Sequence, residues 1–234
     1  MTAPAATADK IVEMIRAALA PHGLFLRGTV NFPSAEAAPL LADGRPAASV
    51  VLTGNIGGSL WPPFGAWRDG MPDRGGADPL DTWSKTVIQP VAESVGATCF
   101  FPSDPPWQPF QQWAMQAEGL KPSPLGILIH PRFGLWHGYR GALGFDRPLP
   151  ETGERAAEHP CDRCTAKPCM SACPANALAE ERFEVGLCRG HLRSEAGRAG
   201  CLSAGCLSRA ACPVGSDSRY SEGQLRFHMA ALSL

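Results

Sequence analysis

Cys161-Asp-Arg-Cys164-Thr-Ala-Lys-Pro-Cys169-Met-Ser-Ala-Cys173-Pro174 opens a region in which eight of the chain's nine cysteines fall, the last being Cys212 followed by Pro213. So many thiols in so short a span decide what that half of the chain can be: loops and brief turns that bring sulfur together. Soft thiolates hold the irons of cubane clusters, and eight thiolates match two four-iron clusters. Structural zinc is one alternative, because Cys161 and Cys164 have the Cys-x2-Cys spacing of zinc sites, but two all-cysteine sites are then needed and zinc asks for no proline after its last ligand. Disulfides are another, and they need an oxidising compartment. The iron-sulfur reading leads.

On the same residues the region resembles the two-cluster ferredoxins, in which the last cysteine of one run ligates the other cluster and is followed by proline. Cys173-Pro174-Ala-Asn-Ala-Leu is similar to the tail of one ferredoxin half. The resemblance implies one cluster on Cys161, Cys164, Cys169 and Cys212, and another on Cys173, Cys188, Cys201 and Cys206. The match departs from the family at two places. Four residues separate Cys164 from Cys169 where the bacterial run has two, and Arg209 stands where the next cysteine of the second run is expected, so that Cys201 must replace it.

Composition sets the outer limits. The chain has 234 residues, 21 basic and 22 acidic. That is one large domain or two small ones, with enough chain for a true core. Near-neutrality gives no basic field for nucleic acid. The N-terminus has neither the charged nor the apolar region of an export signal, and no apolar run approaches a bilayer span, so a soluble cytoplasmic protein without membrane contact is expected. With 25 glycines and 23 prolines and no repeat period, long ordered loops are expected. Cys99, alone in Ala-Thr-Cys-Phe-Phe, reads as a buried core thiol.

Periodicity supplies the elements. Residues 8–20 carry Ile11, Val12, Ile15 and Leu19 on one helical face, with Gly23 as the stop. Residues 24–30 and 49–53 read as strands, the second entering the flexible turn Gly54-Asn-Ile-Gly-Gly-Ser59, and the Trp/Pro/Gly-rich residues 60–76 read as a continuation of that loop. Asp78-Pro79 is a helix start, and Leu80, Trp83, Val87, Val91 and Val95 carry the helix to Gly96. A third strand is expected at 97–101, a helix at 110–118, a continuous apolar strand at 125–130 and a fifth at 139–145, before a charged linker over 147–159. Ser221-Glu-Gly-Gln224 has capping-box spacing for a last helix. Strands alternating with helices argue for an α/β or α+β layer fold.

The second constellation is Ile129-His130-Pro131-Arg132-Phe133-Gly134-Leu-Trp136-His-Gly-Tyr-Arg140-Gly141. It resembles the cyanocobalamin reductase and dealkylase family of B12-processing proteins, and Arg219-Tyr-Ser-Glu-Gly-Gln224 is similar to the opening of that family's late helix. The order of domain and cysteines also resembles epoxyqueuosine reductase and the reductive dehalogenases. These resemblances imply a nitroreductase-like layer domain that binds cobalamin, with His130, Arg132, Gly134, Trp136 and Arg219 near the corrin. The residues themselves leave the matter open: an arginine-rich strand end offers donors and Gly134 permits close approach, while His130 before proline also reads as a structural histidine. Asp104 falls where the queuosine enzymes carry a proton donor, yet Ser103-Asp104-Pro105-Pro106 reads better as a turn.

The expected organisation is therefore an α/β corrinoid-binding domain over 1–150, a ferredoxin-like module over 151–217, and a C-terminal helix, 218–234, returning to the first domain. The expected function is reductive: an oxidoreductase whose two clusters pass electrons from a flavodoxin-type or ferredoxin-reductase-type donor to a bound corrinoid. No catalytic residue is assigned. A ferredoxin-like electron carrier without corrinoid and a non-enzymatic cobalamin chaperone are the alternatives.

Overall fold

A computed structural model describes residues 7–179 and 182–232. The chain divides into two compact units, the first running to Gly119 and resuming over Gly138–Arg155, the second comprising Leu120–His137 and the chain from Ala156. This division differs from the expected boundary at residue 150. Leu120–His137 and the last helix both group with the cysteine region.

The first unit begins with helix α1 (Ala8–Leu19), whose first turn is capped by the Thr7 hydroxyl accepting from the Lys10 amide and whose buried face is Ile11, Val12, Ile15 and Leu19. Strand β1 (Phe25–Asn31) pairs antiparallel with β2 (Ser49–Ile56). Helix α2 (Trp61–Gly70) occupies residues expected to continue a loop. The correction has a simple cause: prolines at 62 and 63 lie in the first turn, where no intrahelical donor is lost and the fixed φ suits a helix. Phe64 then anchors the segment, fully buried and edge-on to Trp83 at 5.8 Å. That ring belongs to α3 (Pro79–Val95), closed by Gly96 in the left-handed conformation. Asp78 precedes Pro79 as expected, but its carbonyl takes the cap hydrogen bonds from Asp81 and Thr82 while its carboxylate makes none at the cap.

Strand β3 (Thr98–Phe100) and helix α4 (Phe110–Glu118) follow, with α4 packed on β1. The expected strand over 125–130 is not part of the main sheet. Only Lys121–Pro122 (β4) and Leu128–Ile129 (β5) pair there, as a separate two-stranded ladder. The apolar character that suggested a core strand has another use: Leu125, Ile129 and Leu135 form a buried cluster with Cys212 in the second unit. Strand β6 (His137–Phe145) completes the four-stranded sheet in the order β1-β2-β6-β3, with β3 and β6 antiparallel. The fold is thus α+β, with no helix long and apolar enough to cross a membrane among the described residues. Gly54 lies within β2, not in a turn, and a side chain there would meet the Gly138 carbonyl at 1.9 Å. The close approach that its glycine serves is strand to strand.

Cys99 sits on β3 half-buried, not in the core as expected, where partial burial and then the Glu93 charge push its thiol up to about 12. Because its folded pKa lies above the ordinary value of 9.0, the stability from burying the neutral thiol is whole below pH 9 and is lost as pH rises toward 12. At pH 8 the native protein should therefore leave Cys99 unalkylated by iodoacetamide, with roughly a thousandfold less thiolate than a free cysteine. Mass spectrometry of native against unfolded protein reads this directly, and prompt native labelling would contradict it.

The second unit is built from short helices: α5 (Pro168–Ser171), α6 (Val185–Arg193), α7 (Glu195–Gly197), a π turn over Arg198–Leu202, α8 (Leu207–Ala211) and α9 (Glu222–Leu232). Met229 of α9 packs with Leu192 and Cys201, so this helix shares a core with the cysteines.

Candidate functional site

The helices of the second unit carry their cysteines at ends and turns, where a thiol can leave the helix surface. Cys161 lies in a single 3-10 turn, Cys169 in the first turn of α5, Cys188 on α6, Cys201 on the π turn, and Cys206 and Cys212 flank α8. The thiols gather into two cavities. One is lined by Cys161, Cys164, Cys169 and Cys212 among prolines, Ile129, Val214 and Lys167. The other is lined by Cys173, Cys188, Cys201 and Cys206 with Leu125, Leu192 and Met229. Their spaces, open mouths included, are about 370 and 380 Å³.

The electrostatics follow the same partition. Burial, then the thiols of Cys212, Cys169 and Cys164, push Cys161 up to about 11. Burial, then Cys206, Cys173 and Cys201, raise Cys188. Burial also raises Cys206, opposed by the backbone amides of Arg209 and Ser208 that face its sulfur. Cys161 and Cys169 in one cavity and Cys188 and Cys206 in the other resist ionising, so their thiolates need a cation to hold them.

Among the described residues, no three His, Cys, Asp or Glu side chains converge as a site for a metal ion. A single tetrahedral zinc with Zn–S near 2.3 Å draws its four sulfurs to within about 4 Å of one another. A cubane keeps its thiolates farther apart, with the irons between them. Four cysteine sulfurs to a cavity are the donor chemistry such a cluster takes, with Lys167 in one lining and His191 and Ser208 in the other.

The residues expected near a corrin, His130, Arg132, Gly134, Trp136 and Arg219, all fall in the second unit, not the first. His130 and Gly134 exchange backbone hydrogen bonds, and the imidazole Nδ1 accepts from the amides of Arg132 at 3.0 Å and Phe133 at 3.2 Å. The ring thus organises the loop from within, stacked on Phe133 at 4.3 Å. Gly134 has φ +57, and a side chain there would meet the Val214 carbonyl at 1.9 Å. Its glycine serves contact with the Cys212-Pro213-Val214 segment that follows α8. Trp136 is 1% exposed, edge-on to Tyr220 at 5.4 Å and beneath the Arg209 guanidinium at 4.4 Å. Arg132 and Arg219 are exposed; the Arg219 guanidinium donates to the Ala210 carbonyl at the end of α8. The structure brings Gly134 and Trp136 onto the 214–220 segment and leaves both arginines exposed, Arg132 over the Phe133 ring and Arg219 tied to Ala210. Arg140, in the first unit, pairs with Asp81 at 3.6 Å, and Asp104 with Lys85 at 2.6 Å in a turn closed by its own amide on Phe101.

Sequence reading passed over a third group. The register of β1 against β2 shifts between Leu26 and Gly28, so Arg27 is the extra residue of a bulge and its side chain turns into the first unit. There the guanidinium meets both Glu118 carboxylate oxygens at 3.0 and 3.2 Å, donates to the Asn55 carbonyl at 3.0 Å and lies 5.0 Å from the Tyr139 ring centre, while the Tyr139 hydroxyl donates to Glu118. Burial pushes the Glu118 carboxyl up, and Arg27 and Tyr139 hold it down. The one available signal was an arginine in the middle of an otherwise apolar strand.

No family model matches the chain, and no curated protein matches it in sequence. Among solved structures it is similar to the C. elegans B12-trafficking protein CblC, a human MMACHC homologue, with a TM-score of 0.55 and 14% identity over 97% of this chain and 95% of that one. At that identity the likeness is one of fold.

Proposed function

We propose that the chain handles cobalamin and carries two thiolate-held four-iron clusters that supply single electrons to the bound corrinoid. The observation that carries the redox half is the sorting of eight thiols into two four-thiol cavities. The corrinoid half rests on the fold shared with a B12-trafficking protein and on the 129–141 segment, whose exposed Arg132 offers a bidentate donor for the amide and phosphate groups that fringe cobalamin. Within this reading His130, Gly134 and Trp136 set the loop's shape, and Arg132 and Arg219 meet the ligand. The cofactors do the electron chemistry; the chain supplies thiolates, exclusion of water and placement. A one-electron donor protein of flavodoxin or ferredoxin-reductase type completes the scheme.

A second reading is favoured by the solved relative itself, which is a trafficking protein. In that reading the chain is a cobalamin chaperone and transfers no electrons to its cargo. A titration with hydroxocobalamin under anaerobic conditions separates the readings. Shifted corrin bands and quenched tryptophan fluorescence are expected on binding, followed by a further corrin change when the clusters are pre-reduced and excess reductant is removed. Binding without that further change supports the chaperone. Unaltered corrin bands up to high micromolar cobalamin leave an electron carrier without corrinoid.

A further inference from the structure

Ser208 lines the cavity of Cys173, Cys188, Cys201 and Cys206, is 2% exposed, and its hydroxyl has no hydrogen-bond partner among the described residues. Such a group calls for an explanation, because buried hydroxyls are nearly always paired. A helical serine usually satisfies itself by bonding back one turn. This chain does so elsewhere: Ser84 donates to the Leu80 carbonyl at 2.7 Å and Ser203 to the Ala199 carbonyl at 2.6 Å. Ser208 makes no such bond. Its own amide and that of Arg209 face the Cys206 sulfur, so α8 already turns donors toward this thiol set. The cavity of Cys161, Cys164, Cys169 and Cys212 is lined by no serine, threonine or tyrosine. His191 also lines the Ser208 cavity, but it is partly exposed, whereas the Ser208 hydroxyl is buried.

We propose that Ser208 donates its hydroxyl hydrogen bond to a sulfur of the cluster held by Cys173, Cys188, Cys201 and Cys206 and thereby raises that cluster's reduction potential. The inference rests on the cluster reading above. Its physical basis is that the reduced cluster carries one more negative charge than the oxidised one, so a donor to its sulfur favours the reduced state. No proton moves and no bond is broken. Ser208 is a positioning residue for charge, two residues beyond the ligand Cys206; the other cavity carries Lys167 in its lining and no hydroxyl.

The experiment is an EPR-monitored redox titration of the full chain, reconstituted anaerobically with iron and sulfide and poised with dithionite. Ser208→Ala is expected to lower one cluster's midpoint by about 59 mV, a tenfold change in its reduced-to-oxidised ratio at a fixed potential, with the other cluster unmoved. Ser208→Thr keeps the donor and should restore the wild-type midpoint. Fully loaded Ser208→Ala with both midpoints unchanged overturns the proposal and leaves the clusters standing, whereas a wild-type chain that takes up no iron and sulfide defeats the cluster reading from which it starts. If Ser208→Ala does not load, Ser208→Gly is the second variant, judged in the same way. If neither loads, the wild-type protein in deuterated buffer decides: a strongly coupled hydroxyl deuteron on one cluster is expected, and its absence overturns the assignment.

Discussion

Cys161→Ser combined with Cys169→Ser is expected to halve the metal content of the reconstituted protein, from about eight iron and eight sulfide per chain to about four of each. The two thiols line one cavity with Cys164 and Cys212, and no cysteine of that set lines the other. Loss should therefore be confined to one cluster's EPR signal. Cys201→Ser makes the complementary test. Cys201 is supplied by the π turn of Arg198–Leu202 and reaches the cavity of Cys173, Cys188 and Cys206, so its removal should disturb the other signal. Cys99→Ser, distant in sequence and held on β3, should disturb neither. Stoichiometric zinc without sulfide in the wild-type chain would reject the cluster reading as a whole. Equal loss from both signals in Cys161→Ser/Cys169→Ser would reject the partition.

The second large effect lies in the first unit and concerns stability. Glu118→Ala leaves the Arg27 guanidinium, 1% exposed, without its counter-charge, which costs about 3–5 kcal/mol for a buried pair broken on one side. Arg27→Met with Glu118→Met removes both charges and should recover most of that loss, since a buried pair is often no better than well-packed apolar side chains. Tyr139→Phe should cost less, roughly 1.5–3 kcal/mol, as the loss of a hydrogen bond to a charged group. Urea unfolding followed by far-ultraviolet circular dichroism measures all three. A Glu118→Ala loss below about 1 kcal/mol would show that water or another group compensates Arg27.

Amphipathic elements were legible because their signals are local. The apolar face of α1, the Pro79 start and Gly96 stop of α3, and the strands β1 and β2 follow from side chains within one element. So does the clustering of eight cysteines, since thiols spaced for soft metal are readable without knowing where they point. Segments whose apolar residues serve a neighbour were misread. Residues 125–130 look like a core strand because they are apolar, and they are apolar because they wall the cysteine region; residues 61–70 look like loop because proline and glycine are counted before their position in the first and last turns is known.

Tertiary structure alone decided three things about this protein. It turned Arg27 inward, because the bulge that re-aims it exists only where β1 meets β2 in register. It placed Cys212 in a cavity with Cys161 and Cys201 in one with Cys173, a grouping that the sequence offered only through its resemblance to the ferredoxins and that no spacing within this chain specifies. It placed the Ser208 hydroxyl in one of the two cavities and none in the other. The sequence by itself determined the chemistry on offer: soft thiols, helix faces and an arginine-bearing loop. Which donors share a cavity depends on long-range packing, since residues far apart in the chain become neighbours only when the apolar surfaces between them are buried.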